Sequence, residues 1–253
     1  MNNDPQNKLI VALDVQTAPE ARELVKLLAT EVGMFKVGSQ LFTAAGPEVV
    51  REIVRSGGRV FLDLKFHDIP NTVAAAAVEA TRLGVSILNV HAGGGPEMMK
   101  RTAAAVSEAA SAEGLARPSV IAVTVVTSAD QATLEAIGVN NSPEAQVLML
   151  ALLAAKNGMD GLVASPLEVA AIRAAIPQPG FLVVTPGIRP GGIALNDQKR
   201  VMTPAAAIAA GADYLVVGRP ITAAKDPVTA VRMIVAEMAS VAANNRREAG
   251  TPG

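Results

Sequence analysis

Eight short apolar runs recur along this chain, and each is followed by a stretch with helical spacing. The runs predict strands over 8–14, 34–37, 59–65, 86–91, 119–124, 161–164, 181–185 and 214–217. Most are continuous rather than alternating, as parallel strands covered on both faces should be. The segments between them carry helical apolar spacing, as in Ala21-Arg22-Glu23-Leu24-Val25-Lys26-Leu27-Leu28. Several end near a glycine, at Gly33, Gly57, Gly84, Gly158 and Gly211. Eight strand-then-helix units with no second composition regime predict an α/β chain folded as a single-domain (β/α)8 barrel. The expected domain covers 1–253, with a short flexible N-terminus over 1–7 and a polar C-terminal tail over about 244–253. The length suits that fold, which typically needs about 250 residues. A doubly wound open sheet is the alternative. The glycine cluster Gly93-Gly94-Gly95 does not support it, because it is not a dinucleotide-binding fingerprint and follows the fourth strand rather than the first.

Composition removes several classes of function. The net charge of -1 leaves no electrostatic footprint for nucleic acid or an anionic membrane. Cysteine is absent, which excludes disulfides and thiolate metal sites and fits a reducing, cytoplasmic setting. With 2 histidines and no cysteine, a zinc site is not expected. The start of the chain shows no basic, apolar signal segment. No apolar run reaches the roughly 18 residues of a membrane span.

The chemistry concentrates in Asp63-Leu64-Lys65-Phe66-His67-Asp68-Ile69-Pro70-Asn71-Thr72. An apolar strand leads into it, and Asp63 and Lys65 lie two apart, so they share a strand face with Phe61 while Leu62 and Leu64 take the other. Charges on an inward strand face are costly unless paired or used. Pro70 blocks the strand, and a helix begins around Thr72. The junction from strand to helix is where parallel α/β folds bind ligands. Lys36 interrupts the second apolar run and Asp14 ends the first. Alone, Asp14 reads as a turn residue and Lys36 as half of a structural pair. In a barrel, the first three strands are adjacent, so Asp14, Lys36, Asp63 and Lys65 can meet at one mouth as alternating cations and anions. His91, at the end of the fourth strand, reads as a hydrogen-bonded supporting histidine or as a general base, and His67 as supporting. Thr127 and Ser128 after the fifth strand offer hydroxyls to a ligand or cap the next helix. Met98 and Met99 read as packing residues.

The last two strands carry a second signal. Thr185-Pro186-Gly187-Ile188-Arg189-Pro190-Gly191-Gly192 follows the seventh strand, and Gly218-Arg219-Pro220-Ile221-Thr222 follows the eighth. Barrels frequently hold phosphate between these two loops, using backbone N–H groups and close approach at glycine. Arginine adds a charge-assisted partner. Gln198 can reach a ligand from the same long loop, and Lys199 and Arg200 read as a solvated face.

As a set, these segments resemble the orotidine 5′-phosphate decarboxylase family, which makes UMP. The likeness extends from about Leu9 to Ile234 and includes Ala12-Leu13-Asp14, Phe35-Lys36-Val37-Gly38, the 63–72 segment, 123–128, Asp197-Gln198 and both glycine-arginine loops. It implies a (β/α)8 barrel, a homodimer, and neither cofactor nor metal. It implies that Asp14 binds ribose and that Lys36, Asp63, Lys65 and Asp68 form the charged catalytic array. It further implies that Asp68 and Thr72 reach into a partner's site. Thr127 faces the pyrimidine, and Pro186, Arg189, Gln198, Gly218 and Arg219 line the phosphate and base. The chemistry suits the residues. Loss of CO2 from C6 of orotate leaves an in-plane carbanion, which a protein without an electron sink must stabilise electrostatically. Lys65 is assigned as the cation and proton donor at C6. Two alternatives stand beside this. One is a Mg²⁺-dependent sugar-phosphate decarboxylase or aldolase of the same superfamily, which needs an acidic ligand near the end of the second strand, where this chain has Lys36. The other is a non-catalytic barrel that binds a phosphate ligand.

Overall fold

The computed structural model describes the backbone of residues 4–190 and 202–249, and side chains for 4–190 and 202–240. The eight apolar runs form strands β1 (Leu9–Ala12), β2 (Met34–Gly38), β3 (Val60–Phe66), β4 (Ile87–His91), β5 (Ser119–Val123), β6 (Gly161–Val163), β7 (Leu182–Thr185) and β8 (Tyr214–Val217). They pair in parallel, each with the next in sequence, and β8 closes on β1. The fold is therefore the closed (β/α)8 barrel, and the open-sheet alternative is ruled out. Strand bounds differ from the sequence reading by at most two residues, as where polar Lys8 and Asp14 leave the ladder.

The continuous apolar runs follow from two cores. One face of each strand packs outward on the helices, with Leu9, Val11, Val37, Leu62 and Val183 in the larger cluster. The other face fills the barrel, with Ile10, Met34, Phe61, Ile87, Ile121, Val184 and Val216 packed together. Neither face meets water, so alternation has no physical basis here. Above this inner layer the inward positions turn polar, at Lys36, Asp63, Lys65 and Asn89. Side chains cap several helix starts: Thr17, Ser142 and Thr203 each accept the backbone N–H of the residue three positions on. At the opposite end of the barrel, Asp160 accepts the N–H of Val120 at 2.7 Å and Asp213 that of Val183 at 2.7 Å. Each carboxylate also pairs with an arginine, Arg117 or Arg173. These two contacts tie strand starts to neighbouring loops.

Three local details add to the sequence reading. Within the expected flexible N-terminus (1–7), a 3-10 turn spans Pro5–Lys8, held by the Asp4 side chain accepting from Gln6. The last helix, Pro227–Ala249, covers the start of the expected tail, because Arg246, Arg247, Glu248 and Ala249 are good helix formers. Helix Pro70–Arg82 starts two residues before Thr72, since proline is favoured in the first helical turn. The glycines at helix ends divide into two kinds. Gly57, Gly84, Gly158 and Gly211 have positive φ, as C-terminal caps should. Gly33 does not. A Cβ there would lie 2.3 Å from the carbonyl oxygen of Asn7, so Gly33 is required by close backbone approach. Gly33→Ala should therefore destabilise by about 1–3 kcal/mol, the usual range for overpacking. A thermal melt superimposable on wild type would reject this account of the contact.

Candidate active site

A cavity of about 370 Å³ opens at the C-terminal ends of the strands. Its lining includes Asp14, Lys36, Asp63, Lys65, Thr127, Pro186, Arg189, Gly218 and Arg219, with apolar walls from Phe61, Val123, Val125, Val163 and Val216. Strand adjacency explains the charged part. Register places Ala12 beside Lys36 and Gly38 beside Asp63, so the ends of β1, β2 and β3 deliver their polar residues to one spot. Lys36 Nζ lies 3.1 Å from Asp14 Oδ1 and 3.2 Å from Asp63 Oδ2. Lys65 Nζ lies 2.7 Å from Asp63 Oδ1. The chain is thus Asp14, Lys36, Asp63, Lys65, with each interior member touching opposite charges on both sides.

Burial separates the two lysines. The Lys36 side chain is 11% exposed and that of Asp63 12%, whereas Lys65 is 38% exposed. Burial alone pushes the Lys36 ammonium toward neutrality, but the charges of Asp63 and Asp14 outweigh it and hold its pKa above the ordinary lysine value. Burial likewise works to raise the Asp63 pKa. Lys36, Lys65 and the hydrogen bonds from Lys65 and Asn89 outweigh it, so Asp63 stays below the usual carboxylate range. Lys36 and Asp63 therefore both keep their charge, and the two lysine side chains flank one fixed anion.

The structure also departs from the simple strand reading. Lys65 has φ of 53°, the one positive value at a non-glycine residue among those described. The ladder is irregular there: Leu62 pairs with Leu88 and Phe66 with Val90, so β3 advances further than β4 over the same interval. Asn89 lies opposite this interval, fully buried. Its Nδ2 donates to Asp63 Oδ1 at 2.7 Å, and its Oδ1 accepts the N–H of Lys65 at 2.8 Å. Sequence reasoning passed over Asn89. The available signal was an amide inside an apolar strand, two residues before His91 and hence on the same inward face.

Asp68 and Thr72 are not gathered into the cavity. Both are exposed, and Asp68 Oδ1 accepts the N–H of Ile69 at 2.6 Å. His91 is half-buried and packs near His67, with ring centroids 5.5 Å apart. Burial, then His67 and Lys65, lower the His91 pKa. Thr127 lines the cavity, and the next helix, Gln131–Ala136, is capped by Asp130 rather than by Thr127 or Ser128. Met98 and Met99 are fully buried packing residues. Arg189 is buried, its Nη1 donating to the carbonyl of Ile188 at 2.9 Å, while Arg219 opens the short helix Arg219–Thr222 at the mouth. Gly218 has a spatial role: a Cβ there would lie 3.2 Å from Asp14 Oδ2. Gln198, Lys199 and Arg200 lie outside the described residues.

The fold and site define a parallel barrel whose mouth sets a buried anion between two ammonium groups, with arginines on the seventh and eighth loops. Residues 7–234 match the Orotidine 5′-phosphate decarboxylase / HUMPS family. The chain is 53% identical over 236 residues to the orotidine 5′-phosphate decarboxylase of Trichlorobacter lovleyi, covering 93% of this chain and 97% of that one. It is 55% identical over 237 residues to that of Moorella thermoacetica, covering 93% and 94%. The crystal structure of orotidine 5′-phosphate decarboxylase from Lactobacillus acidophilus superposes with a TM-score of 0.79 at 37% identity, over 91% of this chain and 98% of that one. The chain belongs to this family.

The charge array carries a pH signature. Asp63 is depressed, so its contribution to stability is complete above the unfolded aspartate pKa of about 3.9 and is lost as pH falls through its folded value. Lys36 is raised, so its contribution is complete below the unfolded lysine pKa of about 10.4 and is lost as pH rises through its folded value. Between those limits Asp63→Asn should melt below wild type by a constant margin, and that margin should shrink as the pH drops below about 4. Melting curves of both proteins against pH test this. A margin that stays unchanged into acid would mean that Asp63 is not held ionised by its neighbours.

Proposed function

We propose that this chain decarboxylates orotidine 5′-phosphate to UMP in pyrimidine biosynthesis, without cofactor or metal, and that Lys65 delivers the proton to C6. The observation that carries the reading is the contact of Lys65 with buried Asp63 at the cavity floor, in a chain of this family. The bond from C6 to the carboxylate breaks, CO2 leaves, and the electron pair stays on C6. That pair lies in the ring plane, outside the π system, so a fixed cation is the means of stabilising it. A proton then passes from Lys65 Nζ to C6, and solvent reprotonates the amine. Lys65 suits this role better than Lys36 because it is the more exposed ammonium, whereas Lys36 is held between two carboxylates. Asp63 sits near the departing carboxylate and anchors Lys65.

The remaining roles follow the cavity lining, except that of Gln198, which rests on the family resemblance alone. Asp14 binds the ribose, Thr127 faces the pyrimidine, and Pro186, Arg189, Gln198, Gly218 and Arg219 hold the phosphate and base. Contacts far from C6 lower the barrier when they are used to order the reacting end. Metal-dependent sugar-phosphate chemistry is disfavoured because Lys36 places a cation in β2, where that chemistry needs an acidic ligand. A cytoplasmic setting suits a phosphorylated substrate and product, and no described helix is long and apolar enough to cross a membrane.

The working unit in this reading is a homodimer, with Asp68 and Thr72 entering the partner's site. The exposure of both residues supports it, as does the exposed apolar side chain of Ile69 between them. The single domain over 1–253 is then one half of that unit.

An ultraviolet assay of orotidine 5′-phosphate loss tests the chemistry. Wild-type turnover should be insensitive to EDTA. Lys65→Ala should lose turnover through kcat while still binding UMP, because the proton donor acts mainly in the transition state. EDTA inhibition reversed by Mg²⁺, or near-normal turnover in Lys65→Ala, would reject the assignment.

Sharing of the site is tested by refolding two inactive variants together, Lys65→Ala and Asp68→Ala. A mixed dimer would hold one doubly damaged site and one intact site. Random pairing should then restore roughly a quarter of wild-type sites. Mixed dimers with no activity above either parent would show that Asp68 serves its own chain.

A further inference from the structure

Asn89 is fully buried in β4 and is not part of the cavity wall. Its amide makes two hydrogen bonds, and both end on the pair that performs the proposed chemistry. Nδ2 donates to Asp63 Oδ1, the same oxygen that receives Lys65 Nζ at 2.7 Å. Oδ1 accepts the backbone N–H of Lys65 at 2.8 Å. Only this orientation of the amide works, since the carboxylate can only accept and the N–H can only donate.

The backbone of Lys65 explains why such a partner is needed. A lysine at φ of 53° lies in the left-handed region, which costs energy for a residue with a Cβ. The irregular β3–β4 pairing spans Asn89, and it is the amide of Asn89 that takes the Lys65 N–H. One side chain therefore fixes Lys65 at its backbone and, through Asp63, at its ammonium. We propose that Asn89 is a positioning residue: it sets the direction of the Lys65 ammonium, and through it the rate of proton delivery, without touching the substrate. The rate part of this proposal rests on the reading of Lys65 as proton donor.

Wild type, Asn89→Ala and Asn89→Asp are to be compared for turnover of orotidine 5′-phosphate, with UMP-binding sites counted by calorimetry. A merely structural asparagine would change melting temperature and the number of folded sites, but not kcat per site. Asn89→Ala should lower kcat per UMP-binding site by at least about 30-fold, since a 1 Å misplacement can cost about 100-fold, and should change KM far less. Asn89→Asp keeps the acceptor for the Lys65 N–H but sets a second carboxylate against Asp63. Those two oxygens can share the contact only when one is protonated. Its kcat should therefore rise from about pH 8 toward about pH 5.5, relative to wild type. Unchanged kcat per site in Asn89→Ala, or an Asn89→Asp profile parallel to wild type, would overturn the proposal. If Asn89→Ala does not fold, the Asn89→Asp profile decides. A crystal structure of whichever variant folds separates the two claims: Lys65 should leave positive φ in Asn89→Ala, and its ammonium should leave Asp63 Oδ1 in Asn89→Ala and, at about pH 8, in Asn89→Asp. A wild type without turnover would reject the functional reading, whereas a Lys65 that does not move would reject the positioning role.

Discussion

The site depends on one buried carboxylate. Asp63 lies near the top of the barrel interior and receives Lys36, Lys65 and the amide of Asn89. Removed from these partners, a carboxylate at that depth would be expensive and would take up a proton. With them it stays ionised, and its charge helps to hold Lys36 protonated. The barrel is what makes the cluster possible. β2, β3 and β4 are adjacent and parallel, so their ends present inward residues at one height. No local segment of sequence could assemble these four side chains, because Lys36 and Asn89 come from the strands on either side of the one that carries Asp63 and Lys65.

Much of this was legible in the sequence, for a physical reason. A strand buried on both faces has no alternation to lose, so a charge inside it stands out. Lys36 and Asp63 were visible on that ground, and the barrel followed from the recurrence of such strands. Tyr214–Val217 matches its expected bounds because the apolar run there ends abruptly at a glycine. What stayed hidden was either neutral or not local. Asn89 carries no charge, and an amide inside a strand resembles an ordinary satisfied polar residue. The positive φ of Lys65 arises from pairing between β3 and β4 and leaves no mark in composition. Asp68 and Thr72 lie within the recognisable motif, but their proposed work needs a second chain. The N-terminal turn was missed because it is short and carries no apolar periodicity, and Gly33, read as marking a helix end, serves to admit the backbone of Asn7.

The two lysines show how position divides labour between like groups. Each contacts Asp63, but Lys36 also contacts Asp14 and lies deeper. A cation with two carboxylates is electrostatically satisfied and well placed to hold geometry. Lys65 has one carboxylate partner and greater exposure, so part of its charge remains directed at the cavity. The irregular step in β3 fits this difference. A regular strand would continue the ladder through Lys65 and leave Asn89 to pair as an ordinary β4 residue. The irregularity instead releases the Lys65 backbone from the regular ladder and hands its N–H to a side chain. Local strand stability is thus exchanged for a fixed ammonium, and strain of this kind is found where a reacting group must be held in one place.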